Sequence, residues 1–260
     1  MKINFYKYQG TGNDFVMIDN RLGTFPKEDR KRIAYLCDRK FGIGADGLIL
    51  LEHCEKSDFK MVYFNSDGNE STMCGNGGRC IVSFANFLEI IGNETTFSAI
   101  DGLHHARIKG LMVDLKMQDV TEIKAKQGAS FLNTGSPHHV QIVSDLSQFN
   151  VVSEGAKLRY GLYGQEGSNI NFVEEKEHGE FFVRTYERGV ENETLSCGTG
   201  VTAVALVMHH LGMTKKNSVK VHVLGGGLAV TFAPMDKGYE KIYLIGEAKQ
   251  VFKGEVQWNS

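Results

Sequence analysis

The chain has 260 residues, of which 42% are hydrophobic and 23% are charged, and this composition excludes global disorder. The 29 basic residues nearly balance the 31 acidic ones, so the net charge gives no reason to expect a nucleic-acid or membrane partner. The length exceeds the usual domain size of about 100–150 residues and predicts two domains.

The N-terminal sequence MKINFYKYQG lacks the long apolar segment of a secretory signal, so we expect a cytoplasmic protein. The uncharged stretch 195–214 contains one apolar run of eight residues, Val201–Met208, which is too short to span a membrane. Five cysteines without a C-x-x-C pair predict reduced thiols and no cysteine-bound metal.

In chain order, the first half shows an amphipathic helix at Glu28–Lys40 and a second helix at Gly75–Ile91 that ends before Gly92. The second half shows one long helix, Gly198–Leu211, that ends before Gly212. The two helices that begin at Gly75 and Gly198 have little polar face, so both should be buried. Short apolar or alternating runs predict strands at Ile3–Tyr8, Phe15–Ile18, Leu48–Leu51, Met61–Phe64, Ala106–Leu115, Val140–Val143, Ile170–Val173, Phe181–Tyr186, Val219–Val223, Leu228–Phe232 and Ile242–Ile245.

A Cys-Gly-x-Gly motif precedes each buried helix. Cys74-Gly75-Asn76-Gly77 and Cys197-Gly198-Thr199-Gly200 lie 123 residues apart, and the same offset carries Glu70, Gly12 and Gly44 onto residues of the same type at positions 193, 135 and 167. We interpret this as an internal duplication with domains at about 1–120 and 121–250.

The two cysteines stand where a helix start favours a thiolate, because free backbone N–H groups and the helix dipole stabilise negative charge there. The glycines let a carboxylate approach the same N–H groups. Two such thiols facing one small substrate would remove a proton from one face of a carbon and return it to the other, which is racemisation or epimerisation. The alternatives are buried structural cysteines, or a noncatalytic binding protein that uses both helix starts as an anion clamp.

Other polar residues lie near these helices in sequence. Asn65 ends a predicted strand ahead of Cys74, while Glu187 and Arg188 end one ahead of Cys197. An adjacent acid and base would bind the ammonium and carboxylate of an amino acid, although a solvated strand end is the alternative. Three His-His pairs do not predict a metal site, because adjacent side chains diverge. The G-x-G-x-x-G match at 42–47 follows a helix and precedes a strand, the reverse of a dinucleotide site.

Together these motifs resemble the diaminopimelate epimerase family over essentially the whole chain. The resemblance is carried by Gly10-Thr11-Gly12-Asn13-Asp14-Phe15, Asn65, Cys74-Gly75-Asn76-Gly77-Gly78-Arg79-Cys80, Ser136-Pro137-His138, Asn169, Tyr186-Glu187-Arg188-Gly189 and Cys197-Gly198-Thr199-Gly200. It implies cofactor-independent interconversion of LL- and meso-2,6-diaminopimelate, for lysine and peptidoglycan precursors, by a cytoplasmic homodimer. It also implies an α/β fold of the α+β type with two pseudo-symmetric halves, each a curved, mostly antiparallel sheet around a central helix, and a C-terminal strand at about 250–260 that returns to the first half.

The resemblance also assigns roles by position. Cys74 and Cys197 would be the acid/base thiols, His138 and Glu187 would tune them, and Arg188 would bind the distal carboxylate. The full set implied to contact substrate is Asn13, Asn65, Gly75, Asn76, Asn169, Glu187, Arg188, Gly198 and Thr199.

Three departures from the family pattern bear on the substrate contacts. Ser136 replaces a common Asn, Gly47 stands where some relatives have Gln, and Val190–Thr194 is one residue longer than usual. A racemase or epimerase of another amino acid, such as proline or hydroxyproline, is the competing prediction, and Glu187-Arg188 favours a substrate with a second charged end.

Overall fold

The computed structural model describes residues 2–177 and 179–258. These residues form two compact units: one holds the chain up to Leu115 and again from Glu247, and the other spans Lys116–Gly246. Strands outnumber helices in both units, which is the predicted α+β class. Within the described ranges, no helix is long and apolar enough to cross a membrane.

The first unit places nine strands around one buried helix. The helices are α1 (Arg30–Cys37) and α2 (Gly75–Phe87). The strands are β1 (Lys2–Gly10), β2 (Asn13–Asp19), β3 (Gly47–Glu52), β4 (Phe59–Asn65), β5 (Glu70–Ser71), β6 (Glu94–Ala99), β7 (Gly102–Lys109), β8 (Met112–Lys116) and β18 (Lys249–Gln257).

Pairing in this unit is antiparallel except between β2 and β3 and between β4 and β6. The order is β18-β1-β2-β3-β4-β6-β7-β8, with β5 beside β4. Helix α2 packs on β1, β2, β3, β7 and β18. The last two residues of the predicted strand at about 250–260 lie outside the described residues.

The second unit repeats this arrangement. Its helices are α3 (Val151–Gly161) and α4 (Gly198–His210). Its strands are β9 (Lys124–Lys126), β10 (Ala129–Asn133), β11 (Pro137–Ile142), β12 (Asn169–Glu177), β13 (Glu180–Glu187), β14 (Asn192–Thr194), β15 (Ser218–Val223), β16 (Gly226–Pro234) and β17 (Tyr239–Glu247). The order β9-β10-β11-β12-β13-β15-β16-β17 again has two parallel pairs, β11–β12 and β13–β15, and β14 lies beside β13.

The α-helices and strands of the two units therefore match in order and pairing, which confirms the predicted pseudo-symmetry of the two halves. Backbone conformation agrees at the offset of 123 residues: Gly12 and Gly135 have φ of 84° and 106°, and Gly44 and Gly167 have φ of 79° and 65°. Each of the four positions lies in the left-handed region, where glycine has no steric penalty. Gly44 lies in the turn between α1 and β3, so the G-x-G-x-x-G match at 42–47 falls in the connection between a helix and a strand.

Burial of α2 and α4 is also confirmed. Ten of the 13 residues in each helix are buried, because apolar or small side chains occupy nearly the whole circumference. Helix α4 ends as predicted, with Gly212 at φ 73° just beyond it.

Several predicted boundaries were wrong. Helix α2 ends at Phe87 rather than Ile91, since Glu89, three residues before Gly92, takes a left-handed conformation (φ 58°). The predicted strand Ala106–Leu115 is a hairpin of β7 and β8, which turns at Gly110 (φ 61°).

Helix α1 is shorter than the predicted Glu28–Lys40 because its caps lie inside that range. The Asp29 side chain accepts a hydrogen bond from the Arg32 backbone at the N-terminus. At the other end, Asp38 is extended and its carboxylate accepts bonds from the backbone N–H groups of Lys40 and Phe41.

Candidate active site

Cys74 is the N-cap residue of α2. Its backbone is extended (φ −104°, ψ 148°), and its Sγ accepts a hydrogen bond from Gly77 N at 3.2 Å. The thiol is half-buried and lies where the first-turn N–H groups of the helix lack intrahelical partners. This geometry stabilises sulfur as an anion, because both the N–H donor and the helix dipole favour negative charge.

Cys197 is the N-cap residue of α4 and is more deeply buried, with 8% of its surface exposed. Its Sγ lies 3.5 Å from Thr199 Oγ1, whereas Cys74 caps a backbone N–H. The Thr199 carbonyl accepts a hydrogen bond from Thr134 Oγ1 at 2.9 Å, which connects the first turn of α4 to the segment that contains Gly135. Each unit therefore presents one cysteine at the start of its buried helix.

The second glycine of each motif packs against a different surface. A Cβ at Gly77 would lie 3.2 Å from Cys74 Sγ, and one at Gly200 would lie 2.4 Å from Asn171 Oδ1. We expected these glycines to admit an anionic ligand. The structure adds that Gly200 is needed because a buried amide occupies the space of its side chain.

A wholly buried arginine organises the start of α2. Arg79 donates to the Gly75 carbonyl at 3.2 Å, to Asn76 Oδ1 at 3.0 Å and to Thr11 Oγ1 at 3.2 Å. Within the described ranges no carboxylate contacts its guanidinium, and burial lowers the pKa of Arg79 from its usual value. No role was predicted for Arg79 from its place in the motif.

The Arg79 network reaches the predicted substrate contacts of the first unit. Asn76 Nδ2 donates to Asn13 Oδ1 at 3.2 Å, and Asn13 Nδ2 donates to Asp46 Oδ2 at 2.6 Å. Asn13 and Asn76 are thus brought together beside Cys74. Asp46 in turn pairs with Arg39 at 2.7 Å, so the network ends in an ion-pair cluster.

That cluster is centred on Asp14, which follows Asn13 on β2. Lys7 Nζ lies 2.7 Å from Asp14 Oδ2, and Arg39 pairs with Asp14 Oδ1 at 2.7 Å. Lys7 Nζ also donates to the Gly44 carbonyl. Burial alone would raise the Asp14 pKa, but the bonds from Arg39 and Lys7 lower it to about 2. The cluster therefore holds β1, β2 and the turn before β3 in register around Asn13.

In the second unit, Asn169 connects two other predicted site residues, Ser136 and Arg188. Its Nδ2 donates to Ser136 Oγ at 2.9 Å, and its Oδ1 accepts from the Arg188 backbone at 2.9 Å. The exposed guanidinium of Arg188 donates to the Glu166 carbonyl at 2.8 Å. Ser136 thus contributes a hydroxyl oxygen that accepts a hydrogen bond from Asn169.

His138, which follows Ser136 by two residues, is fully buried. Burial and the positive charge of Arg188 lower the His138 pKa to about 3, so the imidazole is neutral at physiological pH. Its Nδ1 lies 3.1 Å from the amide nitrogen of Asn171, another buried residue that our sequence analysis missed.

The two remaining predicted residues, Asn65 and Glu187, lie at the ends of strands. Asn65 ends β4, where its backbone N–H bonds to the Asn69 carbonyl, and half-buried Glu187 ends β13.

At Gly47, a Cβ would lie 2.5 Å from both the Phe64 carbonyl and the Tyr63 ring, so a longer side chain does not fit this backbone. The described residues also contain no cluster of three or more His, Cys, Asp or Glu that would hold a metal ion.

The internal duplication held a partial signal for some of the residues that were not predicted to belong to the site. At the offset of 123, Thr11 corresponds to Thr134, and both hydroxyls bond within the start of their unit's buried helix. Arg79 corresponds to Thr202, and both donate to the carbonyl of the first helical residue, Gly75 or Gly198. Asn171 has no polar counterpart, so only the folded structure reveals it.

Comparisons with known proteins agree with this architecture. A family model for diaminopimelate epimerase matches residues 5–110 and 130–251. A diaminopimelate epimerase from Flavobacterium psychrophilum is 58% identical over 253 residues, which cover 96% of this chain and 99% of that protein.

Two solved structures share the fold at 15% identity. A phenazine biosynthesis protein of the PhzF family from Bacillus anthracis has a TM-score of 0.80, with 99% of this chain and 100% of that chain covered. A hydroxyproline epimerase from Agrobacterium vitis has a TM-score of 0.69, with 98% and 92% covered.

Proposed function

Because the chain belongs to the diaminopimelate epimerase family, we propose that it interconverts LL- and meso-2,6-diaminopimelate with Cys74 and Cys197 as its two acid/base groups. The protein is an amino-acid epimerase of the isomerase class. The observation that carries the proposal is the cysteine N-cap of the buried helix, which occurs once in each of two units with the same topology.

The proposed reaction needs one thiolate and one thiol. The thiolate takes the α proton and becomes a thiol, while the electron pair of the C–H bond passes to the α-carbon and its carboxylate. The other thiol then gives its proton to the opposite face of the carbon and becomes a thiolate. Protons and charge balance without an oxidant, a reductant or a cofactor.

The difficult step is the development of negative charge on the α-carboxylate. Backbone N–H groups in the first turns of α2 and α4, around Gly75, Asn76, Gly198 and Thr199, are the donors that we propose for it. Both helix starts are largely buried, and burial strengthens such bonds because little water competes. The Arg79 network supports this role, since it holds both the carbonyl of Gly75 and the amide of Asn76.

The second end of the substrate supplies specificity. We propose that the Arg188 guanidinium binds the distal carboxylate, because it is exposed and an Arg–carboxylate pair is strong and directional. Asn13, Asn65, Asn169 and Glu187 are proposed to bind the remaining polar groups. Proline and hydroxyproline lack a distal carboxylate and would leave Arg188 without this partner.

The proposed biological setting follows the family resemblance. We propose that the protein works in the cytoplasm as a homodimer and supplies lysine and peptidoglycan precursors. Light scattering of purified protein during size exclusion tests the homodimer, and a mass of 28.9 kDa in solution would refute it.

Chiral chromatography of LL-diaminopimelate incubated with the reduced protein tests the reaction. We expect meso product from the wild type, and a loss of at least about 100-fold in kcat for both Cys74→Ala and Cys197→Ala. Cys80→Ala is the matched control, because Cys80 lies in α2 and its counterpart at the offset of 123 is already an alanine, Ala203.

The outcomes separate the two parts of the proposal. Full activity in either cysteine variant would refute the two-thiol mechanism. Interconversion of proline or hydroxyproline isomers, with LL-diaminopimelate unchanged, would refute the substrate but keep the mechanism.

A further inference from the structure

His138 has one ring nitrogen that is hydrogen-bonded and one that is not. Its Nδ1 lies 3.1 Å from Asn171 Nδ2, while Nε2 is buried and has no partner among the described residues. A buried polar atom without a partner is unfavourable, because it has lost its hydrogen bonds to water and gained none in return. Such an atom therefore suggests a ligand that completes the site.

The orientation of the Asn171 amide follows from its other contacts. The nitrogen Nδ2 lies 2.8 Å from the His139 carbonyl, which can only accept a hydrogen bond. The oxygen Oδ1 lies 3.0 Å from Thr185 Oγ1, which donates to it. The atom that faces His138 is therefore an N–H donor, because the opposite orientation would place two oxygens in contact.

This orientation decides which nitrogen of His138 carries the proton. Since Nδ1 accepts from Asn171, it has no hydrogen, and the neutral ring is protonated at Nε2. The same contact makes Nε2 a hydrogen-bond donor. A base acting through Nε2 would need the other tautomer, which would break the bond to Asn171.

The surrounding chain fixes Asn171 firmly. It is fully buried, and the position of a Cβ at Gly200, three residues after Cys197, is 2.4 Å from its Oδ1. Strands β11 and β12 run parallel, with Val140 opposite Asn171 and His138 opposite Asn169. The amide is therefore held by its bonds to the His139 carbonyl and the Thr185 hydroxyl, and its oxygen fills the space beside Gly200.

From this arrangement we propose that Asn171 is a positioning residue that holds His138 as the Nε2–H tautomer, a buried donor for an anion of the reacting complex. The anion is either a carboxylate of the substrate or a cysteine thiolate. The inference rests on the proposed function for the identity of that anion, but the tautomer follows from the hydrogen bonds alone.

Two-bond 1H–15N NMR of the histidine rings tests the tautomer, with the His138 signals assigned by their loss in His138→Gln. We expect a protonated Nε2 and an unprotonated Nδ1 in the ligand-free wild type. In Asn171→Asp, a carboxylate next to Nδ1 should draw the proton to that nitrogen. An Nδ1–H tautomer in the wild type would overturn the proposal.

Two titrations identify the anion. A change in the Nε2–H signal when the thiols ionise in ligand-free protein would assign the thiolate. A change only after diaminopimelate is added would assign the substrate. No change in either titration would overturn the donor role. These readouts need no turnover, so a failure of the proposed reaction remains distinguishable.

Kinetics separates positioning from a merely structural role. We expect Asn171→Asp and Asn171→Ser to lower kcat by roughly 10- to 100-fold with little change in KM, the loss typical when the hydrogen-bond partner that orients a metal-bound imidazole is removed. Gln141→Leu is the matched control, because it removes the partner of Nε2 in the neighbouring His139 ring at 3.3 Å and should leave kcat unchanged. Folded Asn171 variants with wild-type kcat would overturn the proposal. If neither variant folds, the wild-type tautomer and the titrations still decide it.

Discussion

Replacing Gly200 with alanine should destabilise the second unit. The new methyl carbon would lie 2.4 Å from Asn171 Oδ1, whereas nonbonded heavy atoms pack at about 3.5 Å. Neither group has room to move, because Asn171 is fully buried and bonded to the His139 carbonyl and the Thr185 hydroxyl.

The magnitude follows from three opposing effects. Overpacking a core costs about 1–3 kcal/mol. A lost hydrogen bond at Asn171 costs about 1 kcal/mol more. Alanine gains about 1 kcal/mol over glycine inside a helix. We therefore expect Gly200→Ala to lower the free energy of unfolding by about 1–3 kcal/mol.

Urea unfolding measures this change as a lower midpoint at constant m value. Gly161→Ala in α3 is the control, because no atom lies within 4 Å of its Cβ position, and it should be neutral or slightly stabilising. A Gly200→Ala protein as stable as the wild type would refute the packing argument.

Three further predictions concern other groups. Arg79→Met removes the donor at 3.0 Å from Asn76, whereas Arg79→Lys keeps the positive charge. The KM for diaminopimelate should therefore rise more in Arg79→Met than in Arg79→Lys. Equal KM values for the two variants in steady-state assays would contradict this prediction. Because the Asp14 pKa is lowered to about 2, its ion pairs stabilise the fold above pH of about 4, and that stability of about 1–2 kcal/mol is lost as the pH falls toward 2. Asp14→Asn should flatten this acid limb of unfolding curves, and curves parallel to the wild type would refute it. Hydrogen bonds from Ser57, Lys56 and Ser98 lower the Cys54 pKa to about 7, and burial raises that of Cys80 to about 12. Iodoacetamide at pH 8 should therefore label Cys54 before Cys80, and equal labelling of these two cysteines in peptide mass spectra would contradict the prediction.

The duplication was the most informative feature of the sequence. The two Cys-Gly-x-Gly motifs predicted both buried helix starts, because motif and apolar helix are contiguous in the chain. The complete set of elements was not predictable in the same way. Helix α3 and the edge strands β9 and β18 have short or mixed apolar patterns, and local periodicity does not distinguish such patterns from loops.

The supporting polar residues were harder to predict because their partners are distant in sequence. Arg79 bonds to Thr11 across 68 positions, and Asn171 reaches His138 across 33. The predicted end of helix α2 was wrong for a different reason. Glu89 takes a left-handed conformation that sequence rules assign to glycine, so Gly92 was a misleading stop signal.

The central claim is that two different thiols act on opposite faces of one carbon, and early-time deuterium incorporation in D2O tests it most directly. Starting from LL-diaminopimelate, the meso product should carry deuterium at the inverted α-carbon, while the recovered substrate stays unlabelled, because the thiol that removes the proton is not the one that delivers deuterium. Deuterium appearing equally fast in the recovered substrate would mean that one group exchanges the proton on a single face, and would contradict the account.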